Sequence, residues 1–282
     1  MATKNNESCV CCLGADIEDH GPQLLRCVQC GHVWANIDLS NEDIAALYSE
    51  SYFQGTEYKD YEKEANALRH NFERQLNKLI RQYPNGGRLL DIGCAYGFFL
   101  QLASQHFSAV GCDIADHAVA YARDTLGLDA YCVDYMSWTH EQPFEVICLW
   151  DTIEHLKHPE QYIAKAATEL CDDGELVLTT GDIGSWMARL RGKKWRLLHP
   201  PTHIHYFTAT SIRLLLERLG FRTISIRYHA FWRSADATAF RLLACPPNKR
   251  TSTCYRILNN FGLLNFSIPI NTFDLMTVSA KK

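Results

Sequence analysis

Residues 89–100 constrain the fold of this chain more than any other segment. Their sequence, LLDIGCAYGFFL, runs from an apolar strand-like stretch through a turn of small residues into an apolar helix-like stretch. Gly93 and Gly97 lack a Cβ atom and Ala95 carries the smallest one, so backbone N–H groups and a helix N-terminus can approach a polar ligand closely. The segment predicts a buried strand, a nucleotide-binding turn and a helix.

An acidic residue follows this turn at a distance that is typical of nucleotide-binding folds. Asp113 ends the next apolar run, about 20 residues beyond the glycines, where an acidic side chain meets a ribose diol in nucleotide-binding folds. The turn is not a complete G-x-G-x-x-G, because only Gly93 and Gly97 are glycine, and Asp91 stands where a dinucleotide fold requires no acid. The pattern therefore favours a nucleotide-containing cofactor other than NAD.

Strand-like and helix-like segments alternate along the middle of the chain. This alternation predicts an α/β fold with a doubly wound, mostly parallel sheet. The five predicted strands lie near residues 88–92, 108–112, 128–132, 144–149 and 175–179. A helix near 209–219 and strands near 221–230 and 237–244 follow.

The turn and the acids together resemble the class I S-adenosylmethionine-dependent methyltransferases over roughly residues 85–245. The matching residues are Asp91, Gly93, Ala95 and Gly97 in the turn, with Asp113 and Asp134 after the next two strands. The resemblance implies that the turn wraps the methionine end of the cofactor, that the second acid holds the ribose and that the third meets the adenine amino group. It also implies a seven-stranded Rossmann-like sheet whose last two strands form an antiparallel hairpin.

Cysteine pairs near the start of the chain predict a metal site. Cys9-x-x-Cys12 and Cys27-x-x-Cys30 are separated by 14 residues, which is close to the pattern in which four thiolates surround zinc. The segment resembles a zinc ribbon, over residues 1–38. Cys11 offers a third sulfur in the first pair, and we expect Cys9 and Cys12 to be the ligands. Four thiolates leave no open position, so a structural zinc is favoured over a catalytic one.

The bulk composition narrows the environment of the protein. The first seven residues are polar and no run reaches the roughly 20 apolar residues of a transmembrane helix, so we expect a cytoplasmic protein without membrane insertion. The 12 cysteines are then better explained by metal binding in a reducing compartment than by disulfides. A net charge of −4 gives no global attraction to nucleic acid or anionic membranes, so a nucleic-acid partner is disfavoured.

The segment after the fourth predicted strand is the first place to look for catalytic residues. Ligands of parallel sheets bind beyond the carboxyl ends of the strands, so Trp150 should face the cofactor, and Glu154 and His155 the acceptor. Glu154 and His155 resemble a Glu-His pair of the methyltransferase branch that includes quinone O-methyltransferases and sugar-modifying enzymes. The alternative is that the two residues only cap or orient the following turn.

The connection from residue 181 to residue 207 is longer than ordinary strand–helix connections and predicts a lid. It contains several histidines, and a histidine is a suitable base for a hydroxyl or carbon acid near neutral pH. We favour His203 or His205 over His155, since a lid can close over the acceptor. The choice between His203 and His205 is open.

The same connection carries five basic residues within eight positions. Lysine and arginine pair well with phosphate, so a nucleotide-linked sugar or a phosphorylated glycan precursor would suit this segment. A solvated charge run is an equal alternative, and stacking of RNA on the neighbouring tryptophans is a further one. The basic residues are Arg189, Arg191, Lys193, Lys194 and Arg196, with Trp186 before them and Trp195 among them.

The sequence thus predicts four regions and one principal activity. We expect a zinc ribbon at 1–38, a helical linker or lid region at 39–84, a methyltransferase domain at 85–245 and a C-terminal tail at 246–282. The predicted activity is methylation of an oxygen or carbon of a small molecule, a sugar or glycan precursor, in surface-polysaccharide or secondary metabolism. The alternatives are an RNA- or protein-directed methyltransferase and a zinc-ribbon adaptor on an inert cofactor-binding fold. The sequence does not indicate the oligomeric state.

Overall fold

The structure is a computed structural model that describes residues 8–38, 40, 43, 47, 61–236, 238–239, 249–264 and 266–282. Within residues 61–67 and 249–251 only the backbone is described. The chain divides into two units. The first combines Met1–Leu47, Asn85–His229 and Thr272–Lys282, and the second combines Tyr48–Pro84 and Ala230–Asn271.

A seven-stranded sheet forms the centre of the first unit. Its strands in spatial order are β10 (Thr223–Tyr228), β13 (Leu275–Lys281), β8 (Leu170–Gly181), β7 (Phe144–Trp150), β4 (Arg88–Ile92), β5 (Ser108–Asp113) and β6 (Ala130–Cys132). The five strands from β8 to β6 are parallel, whereas β13 runs antiparallel to both of its neighbours. The predicted α/β, mostly parallel sheet is confirmed.

The strand pairing at the antiparallel end of the sheet differs from the prediction. The sequence predicted a hairpin between residues 221–230 and 237–244, but β10 pairs with β13, with Ile226 opposite Val278. The segment 237–244 lies almost wholly outside the described residues. Strand β13 is an interior strand between β8 and β10, and its polar residues Thr277 and Ser279 are buried. The predicted tail therefore supplies a strand of the sheet.

Helices connect and cover the parallel strands, as a doubly wound sheet requires. The helices of this unit are α2 (Phe98–Ala103), α3 (Asp116–Ala120), α4 (Pro159–Glu169), α5 (Trp186–Arg191) and α6 (Ala209–Arg218). Helix α6 begins with a reciprocal cap, in which the Thr208 hydroxyl accepts a hydrogen bond from the Ser211 N–H, and the Ser211 hydroxyl accepts one from the Thr208 N–H.

A second, four-stranded sheet contains the cysteine pairs and part of the predicted lid. Its strands are β1 (Ile17–Asp19), β2 (Leu24–Cys27), β3 (Val33–Ala35) and β9 (His205–Tyr206). Strand β9 pairs with β3 such that Trp34 lies opposite His205. The cysteines of the ribbon-like segment also share one buried cluster with Ile212 and Leu215 of α6. The ribbon-like segment is thus packed into the unit that holds the large sheet.

One aromatic and one basic residue of the predicted lid, Trp195 and Arg196, bind to the same buried carboxylate. Trp195 is buried, and its indole N–H donates to the Asp274 Oδ2 atom over 2.8 Å. Arg196 pairs with the other oxygen of Asp274 at 3.1 Å. These two residues therefore fasten the connection to the residue that precedes β13.

The second unit contains a long helix and a two-stranded sheet. The helix α1 (Tyr61–Gln82) includes the predicted helical stretch and packs against β11 (Phe231–Ser234), which pairs with β12 (Ser267–Ile270). The Asn71 side chain bonds to both the N–H and the carbonyl of Trp232. Helix α7 (Lys249–Asn260) completes the unit. Among the described residues, no helix combines the length and the hydrophobicity needed to cross a bilayer.

Candidate active site

The small-residue turn follows β4 and has an unusual backbone. Gly93, Ala95 and Gly97 all have positive φ angles, of 78°, 45° and 76°. A Cβ atom on Gly93 would lie 2.5 Å from the Thr152 Oγ1 atom, which is closer than real Cβ contacts. At Gly93 the backbone of the turn therefore packs directly against Thr152 with no room for a side chain. Gly97, the last glycine of the turn, immediately precedes α2. This is the cradle that the sequence predicted.

Asp113 lies at the end of β5 and fastens this turn. Its Oδ2 atom accepts a hydrogen bond from the Ala95 N–H, and its Oδ1 atom accepts one from the Ala115 N–H, both over 2.9 Å. Burial raises the pKa of this carboxyl, and hydrogen bonds from the backbone of Ala115, Ala95 and Ile114 oppose the shift. Two carboxylate oxygens have about four lone-pair positions in all, so Asp113 retains acceptor capacity for a sugar hydroxyl.

Asp91 lies beneath the turn and is buried. Its Oδ1 atom has no hydrogen-bond partner among the described residues. Burial, followed by the charge of Asp113, raises the pKa of this carboxyl well above its usual range. A buried oxygen without a donor is costly, so the site is suited to a ligand that supplies one.

Asp134 and Trp150 lie at the carboxyl ends of β6 and β7, two parallel strands that β4 and β5 separate in the sheet. Asp134 follows β6, is exposed and accepts hydrogen bonds from the Met136 N–H at 2.9 Å and the Tyr162 hydroxyl at 2.6 Å. Trp150 ends β7, and its ring meets Phe99 edge to face, with 4.8 Å between the ring centres. Because β4 to β7 are parallel, their carboxyl ends meet at one edge, where open α/β sheets bind ligands.

Glu154 lies in a 3₁₀ turn (Ile153–His155) after β7 and is buried. Burial, followed by the charge of Asp151, raises the pKa of this carboxyl to about 8. Its Oε2 atom has no hydrogen-bond partner within the described part of the chain. The Glu154 carbonyl accepts a hydrogen bond from the Ile204 N–H at 2.9 Å, which joins this turn to the predicted lid.

Two imidazoles approach Glu154. The Nδ1 atom of His155 lies 2.8 Å from the Thr202 carbonyl oxygen, and that of His203 lies 2.9 Å from the Leu197 carbonyl oxygen. Their rings meet edge to face at 4.6 Å. Nitrogen atoms of both rings and a carboxylate oxygen of Glu154 all lie within 4.8 Å of one another. This cluster could move a proton or hold a divalent metal ion.

Burial keeps both imidazoles of the cluster neutral. It lowers the pKa of His155 to about 4 and, together with the charges of His155 and His199, the pKa of His203 to about 2. The Asp151 carbonyl also lies within reach of His155, whose neutral ring has a single N–H to donate to this carbonyl or to that of Thr202. A neutral ring whose Nδ1–H donates to a carbonyl presents an unprotonated Nε2 atom.

His205 does not belong to this cluster. Its Nδ1 atom lies 3.2 Å from the His32 Nε2 atom, the two rings stack with centres 5.2 Å apart, and its Nε2 atom lies 3.5 Å from the Lys157 carbonyl oxygen. Burial and the neighbouring His32 lower its pKa to about 3. The sequence favoured His203 and His205 equally, and the structure brings only His203 to Glu154.

The predicted metal ligands lie together. The sulfur atoms of Cys9, Cys12, Cys27 and Cys30 are all within 4.8 Å of one another. The closest pairs, Cys9 with Cys30 and Cys12 with Cys27, are 3.5 Å apart. These spacings suit four thiolates around one tetrahedral zinc ion.

Cys11 and His32 form a second group around Cys9. Cys11 is buried, and burial raises the pKa of its thiol well above the usual range. The Nδ1 atom of His32 lies 3.6 Å from the Cys9 sulfur. Sequence reasoning gave His32 no role, although its position two residues after Cys30 was the available signal.

A cavity of about 380 Å³ opens at the end of β8. It is lined by Asp182, Ser185, Trp186, Tyr228 and Phe273. The Tyr228 hydroxyl donates to the Asp182 Oδ2 atom over 2.5 Å, and the Gly184 N–H donates to the Oδ1 atom over 2.8 Å. Asp182 and Tyr228 were not singled out from the sequence because they are 46 residues apart.

Comparison with protein families identifies the fold and the cofactor. A family model described as a methyltransferase domain matches residues 60–226, which is more than half of the chain. The chain belongs to the class I S-adenosylmethionine-dependent methyltransferases. The glycine turn, the unpaired buried Asp91 and Asp113 at the end of β5 lie at the carboxyl edge of this methyltransferase fold.

Solved structures of other methyltransferases share this fold. Magnesium protoporphyrin IX methyltransferase from Synechocystis PCC 6803, with bound SAH, has a TM-score of 0.56 and 14% identity, over 86% of this chain and 100% of that one. A SAM-dependent methyltransferase from Archaeoglobus fulgidus has a TM-score of 0.52 and 17% identity, over 83% and 97% of the two chains. A possible histamine N-methyltransferase from Thermotoga maritima has a TM-score of 0.51 and 15% identity, over 79% and 94%. A search of curated proteins finds no match.

Proposed function

We propose that this methyltransferase methylates an oxygen or carbon atom of a small-molecule acceptor, a sugar or glycan precursor of surface-polysaccharide or secondary metabolism. The observation that carries the proposal is the convergence of Glu154, His155 and His203 within 4.8 Å at the carboxyl edge of the sheet. A hydroxyl or a carbon acid needs a base before methyl transfer, and this cluster supplies basic groups.

S-adenosylmethionine supplies a methyl group that its sulfonium centre has already activated. The residues of this chain then provide binding and orientation. Gly93, Ala95 and Gly97 form the surface against which the methionine end lies, and Asp113 holds the ribose diol. Asp134 meets the adenine amino group, and Trp150 borders the cofactor at the end of β7. Asp91, with its unpaired buried oxygen, accepts a hydrogen bond from the amino-acid part or from a water molecule.

His203 is the proposed base. Its Nδ1 atom faces the Leu197 carbonyl, which leaves Nε2 to accept a proton, and its ring is buried beside Glu154. A backbone carbonyl holds His155, so we assign His155 to positioning the ring of His203. Burial makes His203 a weak base on its own, so the proposal requires the ionised carboxylate of Glu154 beside it to stabilise the imidazolium that forms. His205 lies outside this cluster. Its proposed role is to support the neighbouring segments, without direct contact with the cofactor or the acceptor.

Zinc is the proposed occupant of the cysteine cluster, bound by Cys9, Cys12, Cys27 and Cys30. Four thiolates give a closed shell, so the ion would stabilise the fold and take no part in methyl transfer. The ion would join the turn before β1 to the turn between β2 and β3, and through β3 it would also support β9. Cys11, a buried neutral thiol, lies outside this set.

Substitution of the histidines tests the proposed base. His203→Gln should retain cofactor affinity, measured by calorimetry, and lower the rate of methyl transfer by about 10²–10⁴-fold. His158→Gln changes an exposed histidine close to the same turn and serves as the matched control. The assay uses labelled cofactor with a panel of nucleotide sugars, RNA and protein. Methylation of RNA or protein alone would refute the sugar proposal, and equal rates for His203→Gln and the wild type would refute the base.

A further inference from the structure

The connection after β8 exposes apolar and cationic side chains side by side. Trp186 is 57% exposed and Leu190 is 73% exposed, and they lie four positions apart, on one face of α5. Arg189, Arg191, Lys193 and Lys194 are exposed around them. We call residues 186–194 the basic face. Exposed apolar side chains of this size, set among charges, are typical of an interaction site.

The charge of the basic face is strongly one-sided. No acidic residue occurs between positions 183 and 216, although the whole chain carries a net charge of −4. None of its four basic side chains forms a salt bridge with another residue in the described ranges. The positive charge is therefore available to an external anionic partner.

The composition of the basic face favours lipid over nucleic acid. Single-stranded RNA is bound by successive aromatic platforms, but Trp195 is 3% exposed and its N–H is bonded to Asp274, so only Trp186 could stack. An exposed aliphatic side chain such as that of Leu190 does not stack on bases and contributes nothing to such a site. Tryptophan, an aliphatic residue and a ring of lysine and arginine are together the elements that place a protein segment in the headgroup region of an anionic bilayer.

The neighbouring cavity strengthens this assignment. Trp186 belongs both to the basic face and to the wall of the cavity at the end of β8. Phe273, in the same wall, is 50% exposed. The apolar surface therefore continues from the outside of α5 to the mouth of a cavity at the edge of the sheet where the reaction takes place.

We propose that the basic face is a docking surface for the headgroup region of an anionic phospholipid bilayer. The segment would lie on the membrane, with Leu190 and Trp186 inserted at headgroup depth and the basic side chains paired with lipid phosphates. This inference does not depend on the acceptor or on the base proposed above.

Vesicle binding tests the inference with the full chain. The probes are vesicles of phosphatidylcholine alone and of phosphatidylcholine mixed with phosphatidylglycerol, and bound protein is measured by co-sedimentation. We expect binding to the anionic vesicles alone. Raising the ionic strength from about 0.1 M to 1 M shortens the Debye length from about 10 Å to 3 Å and should release the protein.

Two pairs of variants locate the contact. Lys193→Glu with Lys194→Glu should weaken binding to anionic vesicles more than about tenfold. Arg222→Glu with Arg227→Glu makes the same charge change on two exposed residues, one just before β10 and one within it, and should not weaken binding. Leu190→Asn should also weaken binding, and Ile257→Asn, a second exposed aliphatic residue on a helix, is its control. Cofactor affinity, measured by calorimetry, shows that each variant is folded.

Three results would overturn the inference. The first is absence of binding to anionic vesicles at low ionic strength. The second is binding to a single-stranded RNA probe but not to vesicles, provided that the Lys193 and Lys194 changes abolish the RNA binding. This result would assign the basic face to RNA. The third is that the protein does not bind vesicles but self-associates in analytical ultracentrifugation, and that Leu190→Asn abolishes this self-association. The partner of the basic face would then be a second copy of the chain.

Discussion

The Nε2 atom of His32 lies 3.2 Å from the Nδ1 atom of His205, and the two rings are stacked. On its other side His32 contacts the Cys9 sulfur, and His205 contacts the Lys157 carbonyl. A continuous polar path therefore runs from the cysteine cluster to the segment that follows Glu154 and His155. The ribbon-like segment supports the acceptor side of the enzyme.

Replacing His32 should disconnect this path. His32→Ala removes a fully buried ring and leaves His205 without one partner, so we expect the free energy of unfolding to fall by about 2 kcal/mol. The rate of methyl transfer should fall, while cofactor affinity, which depends on the Gly93 turn, should not. His20→Ala removes an exposed histidine of the same sheet and is the control for urea unfolding and activity. Equal effects of the two changes would argue against the path.

Loss of zinc should loosen β9 before it affects the cofactor site. We expect purified protein to contain an equimolar amount of zinc and Cys27→Ser to lose it, with faster hydrogen exchange at residues 205–206 because β3 no longer holds β9. Cys254→Ser changes an exposed cysteine outside the cluster and should retain the metal. Cys11→Ser should retain it as well. A Cys11→Ser protein without zinc would show that the four assigned ligands are wrong.

The turn should not tolerate a side chain at Gly93. Gly93→Ala combines a φ of 78° with a Cβ atom 2.5 Å from Thr152 Oγ1, so we expect a loss of about 1–3 kcal/mol in stability and a weaker affinity for S-adenosylmethionine. Gly127→Ala has a similar φ of 67° but no atom within 4 Å, and it isolates the backbone cost. Calorimetric affinities that are equal for the two variants would exclude a role for close approach at Gly93.

Glu154 should make stability depend on pH. Its pKa is raised to about 8 in the folded protein, so between its ordinary value near 4.5 and pH 8 the folded state holds a proton that the unfolded state has released. The contribution is complete below about pH 4.5 and is lost as the pH rises. Relative to the wild type, Glu154→Gln should therefore gain about 1.4 kcal/mol per pH unit across that window. Urea unfolding at pH 6 and pH 7.5 measures the difference, and a constant difference would contradict it.

The geometry of the Gly93 turn could be predicted because its signals are local. The turn needs positive φ angles within a few residues, and Asp91 and Asp113 lie at the ends of apolar strands. The proximity of the four cysteines could be predicted for the same reason, from the spacing within each pair. Such features are determined by neighbours in sequence, so a single chain is enough to predict them.

The acceptor side was only partly readable because it is assembled from distant segments. His203 and His205 are two residues apart in sequence, yet strand pairing carries one towards Glu154 and the other into the ribbon-like sheet. Nothing local distinguishes them. The pairing of β10 with β13 is also non-local, since it joins segments as distant in sequence as Ile226 and Val278.

The position of β13 has a consequence for biosynthesis. The strand occupies the gap between β8 and β10 but is the last of the three to leave the ribosome. Until residues 275–281 have been made, β8 and β10 each keep an open backbone edge, and open edges invite pairing with other chains. The nascent protein therefore depends on prompt closure, or on a chaperone that covers those edges, and a stalled or prematurely ended chain would be prone to aggregate.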